Sequence, residues 1–247
     1  MSFLTIRFYG GLNYFLPPQI RQIPFRHSFT GQPTVKDLVE SFGVPHAEVD
    51  LILVDGVSAR FDRQLRGGEK VSVYPAFRSI DVSAVTLVRP EPLTEIRFVL
   101  DVHLGKLASY LRMAGFDTLY SSSALDSELA ERSALERRIL LTFDRGLLKR
   151  KNVMYGYCVR SRDPATQLKE VLNHFGLSDS LHPFSRCMIC NGVLQHVAKD
   201  EVFERLPEKV REYADDFTVC RGCGRIYWKG THFERMSELI KKAISSE

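Results

Sequence analysis

Three aspartates stand where chemistry would need them. Asp101 ends the apolar run Ile96 to Leu100, Asp144 ends a second run from Ile139 to Phe143, and Asp126 follows the strand-like Asp117 to Tyr120 by a few residues. Carboxylates from three such segments suit hard divalent cations, Mg²⁺ or Mn²⁺, which take oxygen ligands and keep several waters. An ion of that kind activates water and neutralises charge on a phosphate under attack. An aspartate between a strand and a helix is also an ordinary N-cap, so both roles stay open at each position. Arg145, Lys149 and Arg150 follow Asp144 closely. They suit either phosphate contact or the solvated C-terminal end of a helix, where the dipole favours cations. His103 and Lys106 lie just past Asp101. His103 can orient water or substrate or be structural, and Lys106 adds a cation for nucleic acid.

A second constellation is sulfur. Cys187 and Cys190 form one C-x₂-C pair and Cys220 and Cys223 another, with 29 residues between the pairs. Four thiolates surround Zn²⁺ tetrahedrally when each pair forms a knuckle. Asn191-Gly192 and Gly224 follow the pairs, as knuckle turns require. The intervening stretch reads as an inserted loop, which a ribbon tolerates because loop entropy grows slowly with length. Disulfides are the competing pairing, and a cytosolic chain disfavours them. The fifth cysteine, Cys158, sits in a strand-like run and reads as a small buried apolar residue. Beyond the second pair, Arg225, Tyr227, Trp228, Lys229 and His232 interleave cations with aromatics. Aromatic faces stack on unpaired bases while cations hold phosphates, which makes Arg225, Trp228 and Lys229 candidate nucleic-acid contacts. A strand packing alternate residues on the ribbon fits the same pattern.

The elements that must carry these groups are legible in the periodicity. Leu104, Leu107, Ala108 and Leu111 recur at helical spacing before Gly115, and Leu129, Ala130, Ser133 and Ala134 form a second helical pattern opened by Asp126. Gly156 to Val159 reads as a further strand. Asp163 caps a helix that starts with Pro164 and ends at Phe175 before Gly176. Phe233 to Ile244 reads as a short helix. Strands alternating with helices of about a dozen residues imply parallel βαβ units. Sites in such sheets lie outside the carboxyl ends of the strands, the edge where the three aspartates fall.

These motifs carry a resemblance. L-D-S-E-L-A followed by I-L-L-T-F-D-R-G-L-L resembles the closing half of a PIN-type nuclease domain. D-x-H-L-G-K-L-A-x-Y-L-R-x-x-G-x-D-T resembles the opening of one PIN-like branch, the RNase domain named after the C-terminal region of the Mut-seven exonuclease. C-x-x-C-N-G-x-L and C-x-x-C-G-R-I-Y-W-K-G-x-H resemble the zinc-ribbon end of that family, with Met188 and Arg221 where proline is common. The resemblance spans roughly residues 96 to 235. It implies a metal-dependent ribonuclease with Asp101, Asp126 and Asp144 as catalytic ligands of Mg²⁺ or Mn²⁺. PIN domains commonly carry a further Glu on a helix pair between the first two of these acids. Here only about two dozen residues separate Asp101 from Asp126, so that acid has no clear counterpart, and Glu128 is two residues from Asp126.

Residues 1–80 read as a unit of their own. Phe3 to Phe8 and Phe25 to Phe29 alternate as strands, and Thr34 with Asp37 approaches a capping box at a helix closing at Gly43. Leu51 to Val54 is a strand, Asp55-Gly56 a tight turn, and Val71 to Tyr74 a last strand. This is the order of a β-grasp fold. V-K-D-L-V, V-D-G-V and L-R-G-G-E-K-V-S-V-Y-P resemble the ubiquitin-like sulfur carriers of molybdopterin and thiamine synthesis. Those carriers act through a C-terminal Gly-Gly; the matching end here is Pro75-Ala-Phe-Arg-Ser in mid-chain. The module therefore reads as an interaction surface for a protein partner or as a substrate-guiding module.

With 247 residues, 44% of them hydrophobic, the chain can bury about two domains. No apolar run is long enough to span a membrane, and Arg7 interrupts anything resembling a signal peptide. A cytoplasmic protein with no membrane partner is expected. A net charge of +4 neither requires nor excludes nucleic acid. The expected architecture is α/β: a β-grasp N-terminal domain at 1–80, a linker at 81–95 around Arg89-Pro-Glu-Pro, a PIN-like parallel α/β domain at 96–180, and a C-terminal zinc ribbon with a helix at 181–247. The expected function is metal-dependent hydrolysis of RNA, with a structural zinc that has no open coordination position. The alternative is a non-catalytic adaptor that binds RNA or the ribosome.

Overall fold

The computed structural model describes residues 1–77, 80–89, 93 and 95–244. In chain order the strands and helices are β1 (Ser2–Phe8), β2 (Phe25–Phe29), α1 (Val35–Ser41), β3 (Val49–Val54), β4 (Val57–Ser58), β5 (Lys70–Pro75), β6 (Arg97–Leu100), α2 (Gly105–Met113), β7 (Asp117–Tyr120) and α3 (Asp126–Leu135). They continue with β8 (Ile139–Thr142), α4 (Arg145–Leu148), β9 (Gly156–Cys158), α5 (Pro164–Phe175), β10 (Leu194–Val197), α6 (Lys199–Val202), α7 (Glu208–Tyr213), β11 (Phe217–Cys220), β12 (Ile226–Trp228) and α8 (Thr231–Ile244). They gather into two compact units. One holds Met1–Glu95 and Leu125–Cys158, the other Ile96–Ala124 and Val159–Glu247.

In the first unit a five-stranded sheet runs β2-β1-β5-β3-β4. β1 is antiparallel to β2 and parallel to β5, and β5 is antiparallel to β3, which is the β-grasp order. β1 buries Leu4, Ile6 and Phe8 and turns Phe3 outward, a period-two face that fixes its register. α1 starts with a complete capping box: the Thr34 hydroxyl accepts from Asp37 N–H at 3.2 Å, and the Asp37 carboxylate accepts from Thr34 N–H at 3.0 Å. Asp55 and Gly56 both take left-handed φ (52° and 82°), the geometry of the tight turn joining β3 to β4.

The same unit contains α3, the parallel pair β8–β9, and α4. The turn His46–Glu48 lies against β9. Glu48 Oε1 accepts the Cys158 N–H at 2.6 Å. The Lys149 ammonium donates to the Glu40 carbonyl at 2.8 Å. The stretch expected to link domains is anchored here as well. Val88 is buried, Thr86 Oγ1 donates to the Asp50 carbonyl, and the buried Arg89 guanidinium donates to the Ala47 carbonyl and pairs with Asp50 at 3.3 Å. Its continuation, Pro90-Glu91-Pro92, lies outside the described residues, as do Arg78 and Ser79.

In the second unit β6 and β7 pair in parallel. α2 buries Leu107, Ala108 and Leu111, the stripe its sequence spacing predicts. α5 is capped by Asp163, whose carboxylate accepts from Thr166 N–H at 2.8 Å, and ends on Gly176 at φ 64°. The four cysteines sit in a ribbon whose antiparallel sheet runs β10-β11-β12. The stretch between the cysteine pairs is more than an inserted loop. α6 and α7 fold over the ribbon around a small core of Val202, Leu206, Val210, Ala214 and Phe217. The chain is thus mixed α/β: an N-terminal β-grasp sheet, parallel strand pairs with covering helices, and a four-cysteine ribbon. Among the described residues, no helix is long and apolar enough to cross a membrane.

Candidate functional site

The four cysteines form the most fully built site. Their sulfurs all lie within 4.8 Å of one another, the one group of three or more His, Cys, Asp or Glu so placed among the described residues. Cys187 Sγ is 3.7 Å from Cys223 Sγ, and Cys190 Sγ is 3.3 Å from Cys220 Sγ. A sulfur tetrahedron with metal bonds of about 2.3 Å has edges of roughly 3.8 Å, so the group can hold an ion such as zinc. None of the cysteines is in a disulfide. The two knuckles repeat one geometry: Asn191 N–H donates to the Cys187 carbonyl and Gly224 N–H to the Cys220 carbonyl, each at 2.9 Å. A Cβ at Gly192 would come within 2.8 Å of Cys220 Sγ, so only glycine lets the backbone pass this close to the sulfurs.

The thiols are electrostatically unequal. Burial opposes ionisation of Cys187. The Tyr227 hydroxyl, at 3.0 Å, and the N–H groups of Cys190 and Ile189 outweigh it and bring the thiol down to about 6. At Cys190 the Gly192 N–H favours the thiolate, but burial and the sulfurs of Cys220, Cys223 and Cys187 push it up to about 12. The two values are one effect: the first negative charge settles on Cys187 and repels a second. A divalent cation reverses that repulsion. Tyr227 is raised by burial and then by the Cys187 sulfur, and so stays a hydroxyl donor to it.

The first knuckle is clamped to α2 and β7. Arg112 is 5% exposed and donates from Nη1 to the carbonyls of Met188 (3.2 Å) and Ile189 (2.8 Å), and from Nε to that of Thr118 (2.9 Å). Asn191 accepts the Thr118 N–H at 3.0 Å and donates to Asp117 Oδ1 at 2.8 Å. Sequence reasoning gave Asn191 its place in the knuckle turn but assigned no role to its side chain or to those of Arg112 and Asp117. Apart from Thr118, which Arg112 reaches locally, the partners named here lie more than 70 residues away, and the available signals were that Arg112, Asp117 and Thr118 sit inside the opening motif and Asn191 beside the first cysteine pair.

The three aspartates are placed differently from one another. Asp101 is buried at the end of β6, and its Oδ1 accepts from His103 N–H at 3.3 Å, capping a short 3-10 turn. Gly105 follows because a Cβ there would meet the Tyr120 hydroxyl at 2.6 Å; that hydroxyl donates to the Val102 carbonyl. Asp144 is exposed, two residues past β8, and caps α4 through Gly146 N–H at 2.6 Å. Asp126 is also exposed but caps nothing. It is the first residue of α3, and the capping duty falls to Glu128, whose carboxylate accepts the Leu125 N–H at 3.0 Å. Asp126 Oδ2 lies 4.0 Å from the Arg150 guanidinium.

The candidate nucleic-acid contacts are engaged to different degrees. His103 is exposed, and the Lys106 ammonium lies over the Tyr110 ring. Arg145 stacks over Tyr14 and Phe15, and Lys149 is bound to Glu40 as above. Arg225 is exposed at the second knuckle, its carbonyl accepting the Cys220 N–H. Trp228 packs partly on the small ribbon core and donates to the Tyr213 hydroxyl at 3.2 Å. Lys229 pairs with Asp216 at 2.7 Å.

Two family models match this chain. That of the Mut7-C RNAse domain matches residues 96–240, and that of the Mut7-C ubiquitin domain matches residues 1–81. No curated protein and no solved structure matches it.

Proposed function

The chain belongs to the family of the Mut7-C RNAse domain, with a Mut7-C ubiquitin-like domain ahead of it, and on that premise we propose that it is a metal-dependent ribonuclease hydrolysing RNA phosphodiester bonds. Asp101, Asp126 and Asp144 would hold Mg²⁺ or Mn²⁺. Each is a hard oxygen donor at a strand end or helix start, the donor chemistry such ions select. Bound there, the ion would supply water activation and neutralisation of phosphate charge. Arg150, 4.0 Å from Asp126, balances that carboxylate and presents a fork of donors to a phosphate. His103, exposed beside Asp101, orients water or substrate. Arg145, Lys149 and Lys106 add positive charge for the RNA backbone.

Asp126 carries this reading. An exposed carboxylate that caps nothing, beside a Glu that does the capping, is left with only a helix-start position and the Arg150 contact at 4.0 Å. The four cysteines would bind one structural Zn²⁺, since four protein ligands leave no open position. The ubiquitin-like domain would serve a protein partner, and the protein would work in the cytoplasm. A second reading, a non-catalytic RNA- or ribosome-binding adaptor, is favoured by the capping roles of Asp101 and Asp144.

Cleavage of a mixed unstructured RNA pool with Mn²⁺ separates the two. Asp101→Asn, Asp126→Asn and Asp144→Asn should each lose cleavage by orders of magnitude. Double variants should be no worse than the worst single one, because groups serving one ion act as a unit. Asn caps a helix about as well as Asp, so thermal melts should stay nearly unchanged. Wild-type cleavage by Asp126→Asn would leave the adaptor.

A further inference from the structure

Helices α5 and α8 pack on one another within the second unit, and a groove of about 390 Å³ lies where they meet. α8 presents Arg235, Glu238, Leu239 and Lys242 to it, the three-and-four spacing of one helix face. α5 presents Ala165 and Lys169, one turn apart. Arg235 and Lys242 are exposed and Lys169 is half-buried.

Three permanent cations from two helices thus face a single carboxylate. Elsewhere in this unit cations are matched: Arg186, Lys199, Arg211 and Lys229 each lie within 4.0 Å of an acid. Among the described residues, none of Lys169, Arg235 and Lys242 has an ion-pair partner. Glu238 stands three positions from Arg235 and four from Lys242, where a helix lets side chains meet, yet pairs with neither. Asp163, the cap of α5, is engaged by the N–H and the hydroxyl of Thr166, each at 2.8 Å. Cations that converge without partners repel one another, and an anion between them removes that repulsion.

We propose that this groove holds backbone phosphates of an RNA strand, with Arg235 and Lys242 along one wall and Lys169 on the other. Seven residues of helix set the two α8 cations about 10 Å apart along the axis. A nucleic-acid strand carries a phosphate every few ångströms, so that wall follows a strand over more than one phosphate. A protein partner fits the groove less well. Protein contacts are centred on large buried anchors, aromatic ones above all, and the apolar lining here is alanine and one leucine. Phosphate contacts need only charge, and they set the position of a strand without reading its bases. The site rests on RNA being the partner, as proposed above, but not on the aspartates or on cleavage. It gives α8 a task beyond packing on α5: holding a strand independently of the reacting phosphate.

The test is binding of a short unstructured oligoribonucleotide carrying a terminal dye, read by anisotropy over a range of salt concentrations. Full-length protein is used without added divalent ions, so that binding is measured apart from cleavage. Each phosphate contact contributes about 0.7 to the slope of log affinity against log salt for a single strand. The triple variant Lys169→Gln, Arg235→Gln, Lys242→Gln should therefore lower the slope by about 2 and weaken binding alike for strands of different sequence. Removing three exposed cations from the other unit, with Arg60→Gln, Arg63→Gln and Arg66→Gln, should leave the slope where it was. An unchanged slope in the groove variant, or an equal fall in the control, overturns the groove and keeps RNA as partner. Polyglutamate of the same charge binding as tightly as the RNA would make the groove a site for an acidic protein and overturns the proposal. Wild-type protein that binds no RNA overturns both the groove and the reading it rests on. Thermal melts check that the variants fold; should the triple variant not fold, Arg235→Gln and Lys242→Gln alone decide the matter, each by a fall of about 0.7.

Discussion

At the scale of single residues, the cysteines and their neighbours show how much a ligand depends on what stands behind it. The Cys187 thiol is brought down to about 6 because Tyr227 and two backbone N–H groups outweigh the burial that opposes its ionisation. Arg112 then ties the peptide groups of the same knuckle to the Thr118 carbonyl. If the site holds structural zinc, purified protein should contain about one zinc per chain. Cys187→Ser should lose it and melt the ribbon, because metal binding there supplies local folding free energy. Metal analysis with Trp228 emission as the local reporter checks this. Full-length protein that melts alike with and without a chelator would remove the zinc.

At the scale of elements, the capping pattern separates the three aspartates before any assay of activity. Asp144 closes the first turn of α4 and Asp126 leaves the start of α3 to Glu128. Asp144→Ala should therefore cost about 1 kcal/mol of stability. Asp126→Ala should cost less, the dipole interaction of an exposed carboxylate in a first turn and a long exposed pair with Arg150, together about 0.3–1 kcal/mol. Thermal melts of the two variants decide it, and a larger loss at Asp126 would mean that its carboxylate does have a structural duty. The stretch between the cysteine pairs shows the same economy. Val202, Leu206 and Val210 recur every four residues, and together with Ala214 and Phe217 they turn what reads as a loop into a small core.

At the scale of the molecule, the first unit joins the β-grasp sheet to residues 125–158 through buried polar groups. His46 and Glu48 sit side by side in one turn, 4% and 3% exposed, with Glu48 holding the Cys158 N–H. Burial, and then the Lys36 charge, hold the His46 imidazole below its ordinary 6.5, against the opposing pull of Glu40 at 2.7 Å. Its folded value is depressed, so this contribution to stability is fully present above 6.5. It is lost as pH falls through the lower folded value, because the unfolded chain then takes up a proton that the fold resists. Wild-type stability should drop between neutral pH and about pH 5, and His46→Gln should flatten that part of the profile. Denaturant unfolding across the range measures it, and an unchanged slope in His46→Gln would place the acid sensitivity elsewhere.

The features written plainly in the amino-acid order are those whose physics is local. The Thr34–Asp37 box, the Asp163-Pro164 start and Gly176 end of α5, the Asp55-Gly56 turn and the two C-x₂-C knuckles each complete their hydrogen bonds within a few residues. Such signals specified the element order, the β-grasp module and the sulfur site. What they left open depended on partners far along the chain. Arg112 meets Met188 and Ile189 across 76 and 77 positions, Glu48 meets Cys158 across 110, and Arg89 meets Ala47 across 42. Whether an aspartate is a cap is decided by which residue takes the N-cap position: at α3 that is Leu125, and Asp126 falls one residue inside the helix. The cavity of about 280 Å³ beside the ribbon likewise draws on residues of the segment 183–188, of three strands and of α8, none of which announces it alone. Periodicity tells a side chain which face of its own element to occupy; only tertiary packing, which closes loops of tens of residues, decides what it meets there.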